Sequence, residues 1–275
     1  MSNPTPQTGY AEVNGAQLYY EISGDGPALT LIHEGIADHT MWDDQVPAFA
    51  ERYRVIRYDL RGYGKSSLPS GPFSMSDDLY KLLQTLGVER TAVLGGSMGG
   101  SIAIDFTLTH PEMVAALIPM AAGISGKPPS PEMVAAGERI DQAFEQEGLD
   151  AANELEVQMW ADGPKRTPDQ VDPTVRRRVA EMNGRALARG AEFEQAQYTP
   201  LDPPAIGRLG EIHVPTLVIV GDGDQPDVIE SCALIALQVP GAREVIMPGL
   251  AHVPNMERPA EFNRIVLDFL ASVLA

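Results

Sequence analysis

A mostly parallel α/β sheet, opened by an antiparallel hairpin and interrupted by a block of helices, is the fold class that this 275-residue sequence predicts. Three observations carry that reading. Short continuous apolar runs alternate with segments that are apolar at helical spacing, the pattern of repeated strand–helix–strand units. Asn14-Gly15 joins two strand-like stretches near the N-terminus, a tight-turn signal for a hairpin. Between residues 126 and 204 the alternation stops, and only helical periodicity is left.

Each element follows from its own residues. Residues 10–13 and 17–22 are the hairpin strands, and the turn Gly24-Asp25-Gly26-Pro27 follows. Residues 28–32 form a continuous apolar run of the kind found in a buried strand, which delivers His33-Glu34-Gly35-Ile36-Ala37-Asp38 to a loop. A helix is expected over 41–49, with Trp42, Val46 and Phe49 on one face. Residues 54–58 are the next strand, and 59–66 leave it as a long loop. Ser74 or Ser76 is suited to cap a helix carrying Leu79, Leu82, Leu83 and Leu86, which Gly87 stops. Thr91 to Leu108 reads as strand, glycine-rich turn and helix; His110-Pro111 ends that helix, and 114–119 is a further strand. Helices are expected over 131–147, 149–160 and 172–190. The α/β pattern then resumes with a strand at 214–220, a helix at 228–237 and a strand at 242–247. A closing helix at 259–274 carries Phe262, Ile265, Val266, Phe269 and Leu270. The expected organisation is a core in two parts, 1–124 and 205–275, with a helical cap at 125–204 inserted between them.

Composition removes several function classes. A net charge of −18 opposes binding to nucleic acid or to an anionic membrane surface, and favours a neutral ligand. The single cysteine, Cys232, excludes an internal disulfide and any multi-cysteine metal site, and reads as a small residue on a helix face. Neither H-E-x-x-H nor H-x-x-E-H occurs, so no metal and no cofactor are expected. The N-terminal stretch has no basic region followed by an apolar core, and no apolar run approaches 18 residues. A cytoplasmic location is the resulting expectation; oligomeric state is left open.

The chemistry centres on Gly95-Gly96-Ser97-Met98-Gly99, a G-x-S-x-G pattern between the strand run and the helix. A serine on so tight a strand-to-helix turn is held in a strained conformation, with glycines leaving room around it. Its hydroxyl is presented at the strand's carboxyl end, and the Met98 amide points to where an oxyanion would form. An activated serine needs a base, and the base needs an acid to orient it. Asp222 and Asp224 both follow the strand ending at Gly221, and His252 lies in the loop after the next strand. The order serine, acid, histidine is the one such a sheet uses. The other histidines are weaker: His213 is at the wrong end of a strand, His110 at a helix end, His39 on a surface loop. His33 precedes the serine and suits a neutral, hydrogen-bonded structural role.

With these residues the chain resembles the α/β-hydrolase superfamily from about Tyr10 to Leu274, in particular its small capped serine hydrolases. These include esterases, lactonases, C–C bond hydrolases and cofactor-free haloperoxidases or perhydrolases. The resemblance rests on the His33 loop, Asp59-Leu60-Arg61-Gly62-Tyr63-Gly64-Lys65-Ser66, the serine turn, His110-Pro111, Gly221-x-x-Asp224, and His252 followed by Glu257-x-Pro259. It implies a triad of Ser97, Asp224 and His252, with Asp222 as a loop-forming carboxylate. It also implies a second oxyanion donor at the Gly35 backbone amide. The usual His-Gly pair is here His33-Glu34, which puts a carboxylate beside that site as a structural or modulating group.

The expected reaction is hydrolysis of a carboxylic ester or lactone of a neutral, largely apolar small molecule through an acyl-enzyme. Haloperoxidase, perhydrolase or C–C bond hydrolase chemistry on the same triad is the alternative within the fold, and a non-catalytic ligand-binding protein the alternative outside it. A pocket between the serine turn and the inserted helices draws on Ile36, Trp42, Met98, Met120, Ile124, Phe144, Met159, Trp160 and Tyr198, an apolar, methionine-rich set. Arg61 is expected in a structural ion pair and Arg176-Arg177-Arg178 on a solvated face of the cap.

Overall fold

The computed structural model describes residues 6–67, 71–190 and 196–274. Eight strands form one sheet: β1 (Gln7–Val13), β2 (Ala16–Ser23), β3 (Ala28–Ile32), β4 (Arg54–Tyr58), β6 (Thr91–Gly96), β7 (Val114–Met120), β9 (Leu217–Gly221) and β10 (Arg243–Met247). Their order is β1-β2-β4-β3-β6-β7-β9-β10. The β1–β2 and β2–β4 pairs are antiparallel, and the rest of the ladder is parallel. Strands β6 and β9 are buried at every position, which is why they read as unbroken apolar runs rather than alternating ones. The Asn14-Gly15 turn closes the hairpin, with both residues at positive φ.

Helices cover the sheet. They are α1 (Val46–Phe49), α2 (Met75–Thr85), α3 (Met98–Thr109), α4 (Pro131–Glu147), α5 (Leu149–Val157), α6 (Pro173–Ala188), α7 (Pro226–Gln238), α8 (Pro254–Glu257) and α9 (Pro259–Val273). Helix α3 packs on β6 and β7. It buries Ile102, Ala103, Ile104 and Phe106, the all-round apolar character of a central helix. Ser74, not Ser76, caps α2 by accepting from the Asp77 amide. Helices α4, α5 and α6 form the inserted region between β7 and β9, with α5 packed on both its neighbours.

Several elements differ from the sequence reading. The helix expected over 41–49 is split into a 3₁₀ turn, His39–Trp42, and the short α1. Asp38 caps the first piece through the Thr40 amide, and Pro47, lacking an N–H, starts the second. The helix expected over 149–160 ends at Val157 and continues as a π turn, Gln158–Asp162. The insertion is not wholly helical. β5 (Gly71–Phe73) and β8 (Ala196–Tyr198) pair in a separate two-stranded sheet, each too short to show a period.

The charged groups also depart from expectation. His39 is buried rather than on the surface, with Nδ1 2.8 Å from Asp59 and Nε2 3.4 Å from Glu21. Burial pulls its pKa down, but the two carboxylates outweigh that and hold it at about 9. Arg178 is not on a solvated face: it reaches from α6 to Asp44 at 2.6 Å, and Arg185 reaches Asp38 at 2.6 Å, so α6 is pinned to the core by two ion pairs.

Arg61 and Asp78 form a buried bidentate pair, with Nε and Nη2 each 2.6 Å from a carboxylate oxygen. Removing one partner of such a pair leaves an uncompensated charge, at a cost of about 3–5 kcal/mol. Asp78→Ala is therefore expected to lower the urea midpoint with an unchanged slope. A midpoint within error of the parent protein contradicts the assignment of Arg61 as a structural cation.

Candidate active site

Ser97 lies at the end of β6, where the chain turns into α3, with φ 50° and ψ −113°. That conformation is costly for a side-chain-bearing residue and persists only where its surroundings enforce it. They do so through close backbone approach. A Cβ on Gly95 would run into the Gly99 carbonyl, and one on Gly99 would lie 2.5 Å from the carbonyl oxygens of Ile32 and His33. The Ser97 amide donates to the Met120 carbonyl at 2.8 Å, tying the turn to β7. Neither the Gly35 amide nor the Met98 amide donates to a protein acceptor among the described residues. Gly35 faces the Met98 side chain, whose Cε and Sδ lie 3.8 and 3.9 Å from the place of its missing Cβ.

His33 fixes the loop that carries Gly35. The Leu60 amide donates to its Nε2 at 2.9 Å, so the ring proton is on Nδ1, which donates to the Glu34 carbonyl at 2.7 Å. Burial holds its pKa below the usual histidine value, in keeping with a neutral ring.

The acid and the histidine meet directly. His252 Nδ1 donates to Asp224 Oδ2 at 2.8 Å, with both side chains almost completely buried. That bond leaves Nε2 as the nitrogen able to accept a proton. Asp224 Oδ1 accepts from the Gln225 amide at 2.7 Å, so the carboxylate is fixed at both oxygens. Asp222 plays a different part. Its Oδ1 accepts from the Gly249 amide at 2.6 Å and laces the two loops together, as does the Gly223 amide on the Leu250 carbonyl at 2.8 Å. Burial lowers the His252 pKa, but the charges of Asp224 and Glu34 and the Asp224 hydrogen bond override it and raise the value to about 9. Ser97 makes no side-chain cap hydrogen bond to the helix it precedes.

Two supports of this site join residues far apart in the chain: the sequence reading singles out Trp160 only as pocket lining and Glu257 only through the resemblance, and passes over Arg166. The inserted π turn brings Trp160 over the imidazole with ring centroids 4.4 Å apart, and the Trp160 carbonyl accepts from the His252 amide at 3.3 Å. Arg166 grips Glu257 at 2.6 and 3.0 Å, and Glu257 accepts from the Ala251 amide at 3.2 Å. A helix that widens to a π turn often does so where a side chain must be re-aimed.

The other residues singled out by sequence fall in several places. Ile36 and Ile124 are buried, and Met120 is buried against Gly96, where its Cε and the Glu34 side chain fill the space a Cβ would need. Met159 lines a cavity of about 610 Å³ between α4, α5 and the start of α7, together with Met133, Ile140, Leu155, Gln225 and Pro226. The lining of that cavity stops at Gln225, the neighbour of Asp224, and does not include Ser97 or His252. Trp42 is sealed in the core against Phe262, because the 3₁₀ turn points it inward. Phe144 and Tyr198 are about half exposed, the first on the outer side of α4 and the second stacked edge-on against Phe73.

Asp38, His39 and Asp59 offer ligand atoms within 4.8 Å of one another, the geometry of a small cation site. Each is already engaged, Asp38 by Arg185 and Thr40, and His39 and Asp59 by each other. The cluster is an ion-pair network that braces the 3₁₀ turn His39–Trp42 against the end of β4.

A sequence model of the alpha/beta hydrolase fold family matches residues 27–259. The chain belongs to that family. A 2-hydroxy-6-oxononadienedioate/2-hydroxy-6-oxononatrienedioate hydrolase from Burkholderia vietnamiensis is 31% identical to it, over 92% of this chain and 91% of the other. Among solved structures, the enol-lactonase of Burkholderia xenovorans LB400 superposes with a TM-score of 0.79 at 28% identity, covering 96% of this chain and 100% of that one. A thermophilic esterase from Thermogutta terrifontis gives 0.77 at 26%, over 97% and 99%. These relatives support hydrolase activity on the α/β-hydrolase scaffold. Among the described residues, no helix is long and apolar enough to cross a membrane.

Proposed function

We propose that this protein is a serine hydrolase of small carbonyl compounds of the lactone or vinylogous-diketone kind, with Ser97, His252 and Asp224 as its triad. The observation that carries this reading is the buried 2.8 Å bond from His252 to Asp224, in a chain whose strained elbow serine lies at the end of β6, two strands from β9 in the same sheet. His252 Nε2 takes the proton of Ser97 as its oxygen attacks the carbonyl carbon. The amides of Gly35 and Met98 receive the oxyanion. Collapse breaks the bond to the leaving group, an alkoxide in a lactone or an enolate carbon in a diketone, and His252 returns the proton to it. Water then repeats the cycle on the acyl-enzyme.

The substrate class rests on the relatives named above: a hydrolase of oxo-dienedioates and an enol-lactonase. The interior of the site adds a constraint. The charged groups acting on His252 are the carboxylates Asp224 and Glu34, so the reacting end of the substrate is neutral. The 610 Å³ cavity beside Gln225 is lined by Arg139 together with the carboxylates Glu132 and Asp227. Simple carboxylic esters are the second reading, favoured by the esterase neighbour. Purified protein is to be offered p-nitrophenyl esters of graded length, γ- and δ-lactones, an enol lactone, and a vinylogous 1,5-diketone with and without a terminal carboxylate. Preference for the enol lactone or diketone supports the first reading. A preference of more than tenfold for the simple esters replaces it with the second, and no turnover of any of them refutes both.

Because the base must be neutral, kcat/KM should rise about tenfold per pH unit below the His252 pKa and level off near pH 9. A profile already flat from pH 6 upward contradicts the electrostatic description of the site.

A further inference from the structure

The loop that supplies the Gly35 amide also carries a carboxyl group that the reaction above does not use. Glu34 is completely buried. Its backbone is engaged, the amide with Met41 Sδ at 3.4 Å and the carbonyl with His33 Nδ1 at 2.7 Å and the Ala37 amide at 3.2 Å. Its side chain is not, since neither carboxylate oxygen has a hydrogen-bond partner among the described residues. A carboxyl kept only for structure would be knitted into the protein, as Asp59 and Asp78 are. The Glu34 side chain is instead pressed against the elbow: a Cβ on Gly96, next to Ser97, would lie 2.8 Å from its Cγ and 2.9 Å from its Oε1. The charged groups that act on Glu34 are His252 and Asp224, and those that act on His252 are Asp224 and Glu34. Glu34 and Asp224, carboxyls from separate loops, are thus both buried, and both act electrostatically on the buried His252 imidazole.

We propose that Glu34 is a positioning residue for His252, a second carboxyl whose negative charge steadies the imidazolium formed when the histidine takes the serine proton. The proposal rests on the triad reading above. Three groups this close titrate as a unit. Burial pushes the Glu34 carboxyl up to about 7, with Asp224 reinforcing and His252 opposing that shift. Desolvation and Asp224 oppose the ionised form and a positive imidazole favours it. Glu34 acts in that ionised form and keeps it while the proton passes from Ser97 to His252, so no second proton has to leave the site. Asp224 orients the ring through a hydrogen bond; Glu34 acts through the field alone.

The test is an NMR titration of ¹⁵N-histidine-labelled protein, with the His252 signals identified by their loss in His252→Gln. It is run on the parent protein, Glu34→Gln, Glu34→Met and Glu34→Asp, beside kcat/KM against pH. Loss of one buried charge at this range is expected to lower the His252 midpoint by roughly one pH unit or more in the Gln and Met variants. The acid limb of kcat/KM should move to lower pH by the same amount, and Glu34→Asp should restore both toward the parent values. Using both Gln and Met guards against one of them failing to fold, since the amide brings polar atoms that need partners and the thioether does not. A His252 midpoint that is unmoved in a folded variant overturns the proposal, as does a shifted midpoint with an unmoved acid limb. If the parent protein hydrolyses none of the substrates above yet the midpoint falls, the substrate reading fails and the Glu34–His252 coupling stands.

Discussion

Replacing Ser97 with alanine is expected to lower turnover of whichever substrate the parent protein accepts by about 10⁶-fold, down to the level that oxyanion donors and binding alone supply. That corresponds to about 8 kcal/mol of transition-state stabilisation. The size of the effect follows from the role: without Oγ there is no attacking atom, so the acyl-enzyme route closes altogether. The variant should fold, because among the described residues the serine side chain makes no cap hydrogen bond to α3 and alanine keeps the Cβ that the elbow already accommodates. The positive φ is a strain present in both proteins and does not distinguish them. Matched thermal unfolding curves with turnover lost is the expected pair of results. Turnover within tenfold of the parent protein would show that the attacking group lies elsewhere.

Asp224→Asn is expected to cost about 10⁴-fold in turnover, less than loss of the serine but more than loss of one oxyanion donor. An asparagine there can donate to His252 Nδ1, which puts the ring proton on Nε2, where the serine needs an acceptor. It also removes one of the two charges that hold the imidazole pKa up to about 9, so the acid limb of the pH profile should fall as turnover falls. Asp222→Asn serves as the control. Its carboxylate binds the Gly249 amide and not the histidine, so turnover should stay within about tenfold, the scale of a small positional loss rather than of a lost proton route. Rates for the two variants in the reverse order would exchange the parts assigned to the two aspartates.

The sheet was legible in the sequence because burial writes itself into it. Strands β3 and β6 are short, largely apolar runs, and helix α4 coincides with its apolar periodicity. Elements shaped by a single residue or a distant partner were not. The break at 41–49 depends on Asp38 and Pro47, and β5 and β8 are three-residue strands that exist only as a pair. The site divides in the same way. Ser97, Asp222, Asp224 and His252 all lie in loops that follow strands and carry glycines, so order alone points to the loops, while the choice between the two aspartates comes from the family resemblance. The aromatic cover from Trp160 and the Arg166–Glu257 clamp connect the insertion to the second half of the core, and sequence spacing does not bring these distant residues together. Large apolar residues were the least legible, since Trp42, Phe144 and Met159 look alike in sequence. Only the packing separates a core residue, a half-exposed one and a cavity wall.

Reaction with a fluorophosphonate, read by intact mass and peptide mapping, tests most directly whether Ser97 is a nucleophile served by His252 and Asp224. One equivalent of adduct on Ser97 is expected, absent in Ser97→Ala and formed far more slowly in His252→Gln and Asp224→Asn. No adduct on folded parent protein, or an adduct on another residue, would contradict the triad.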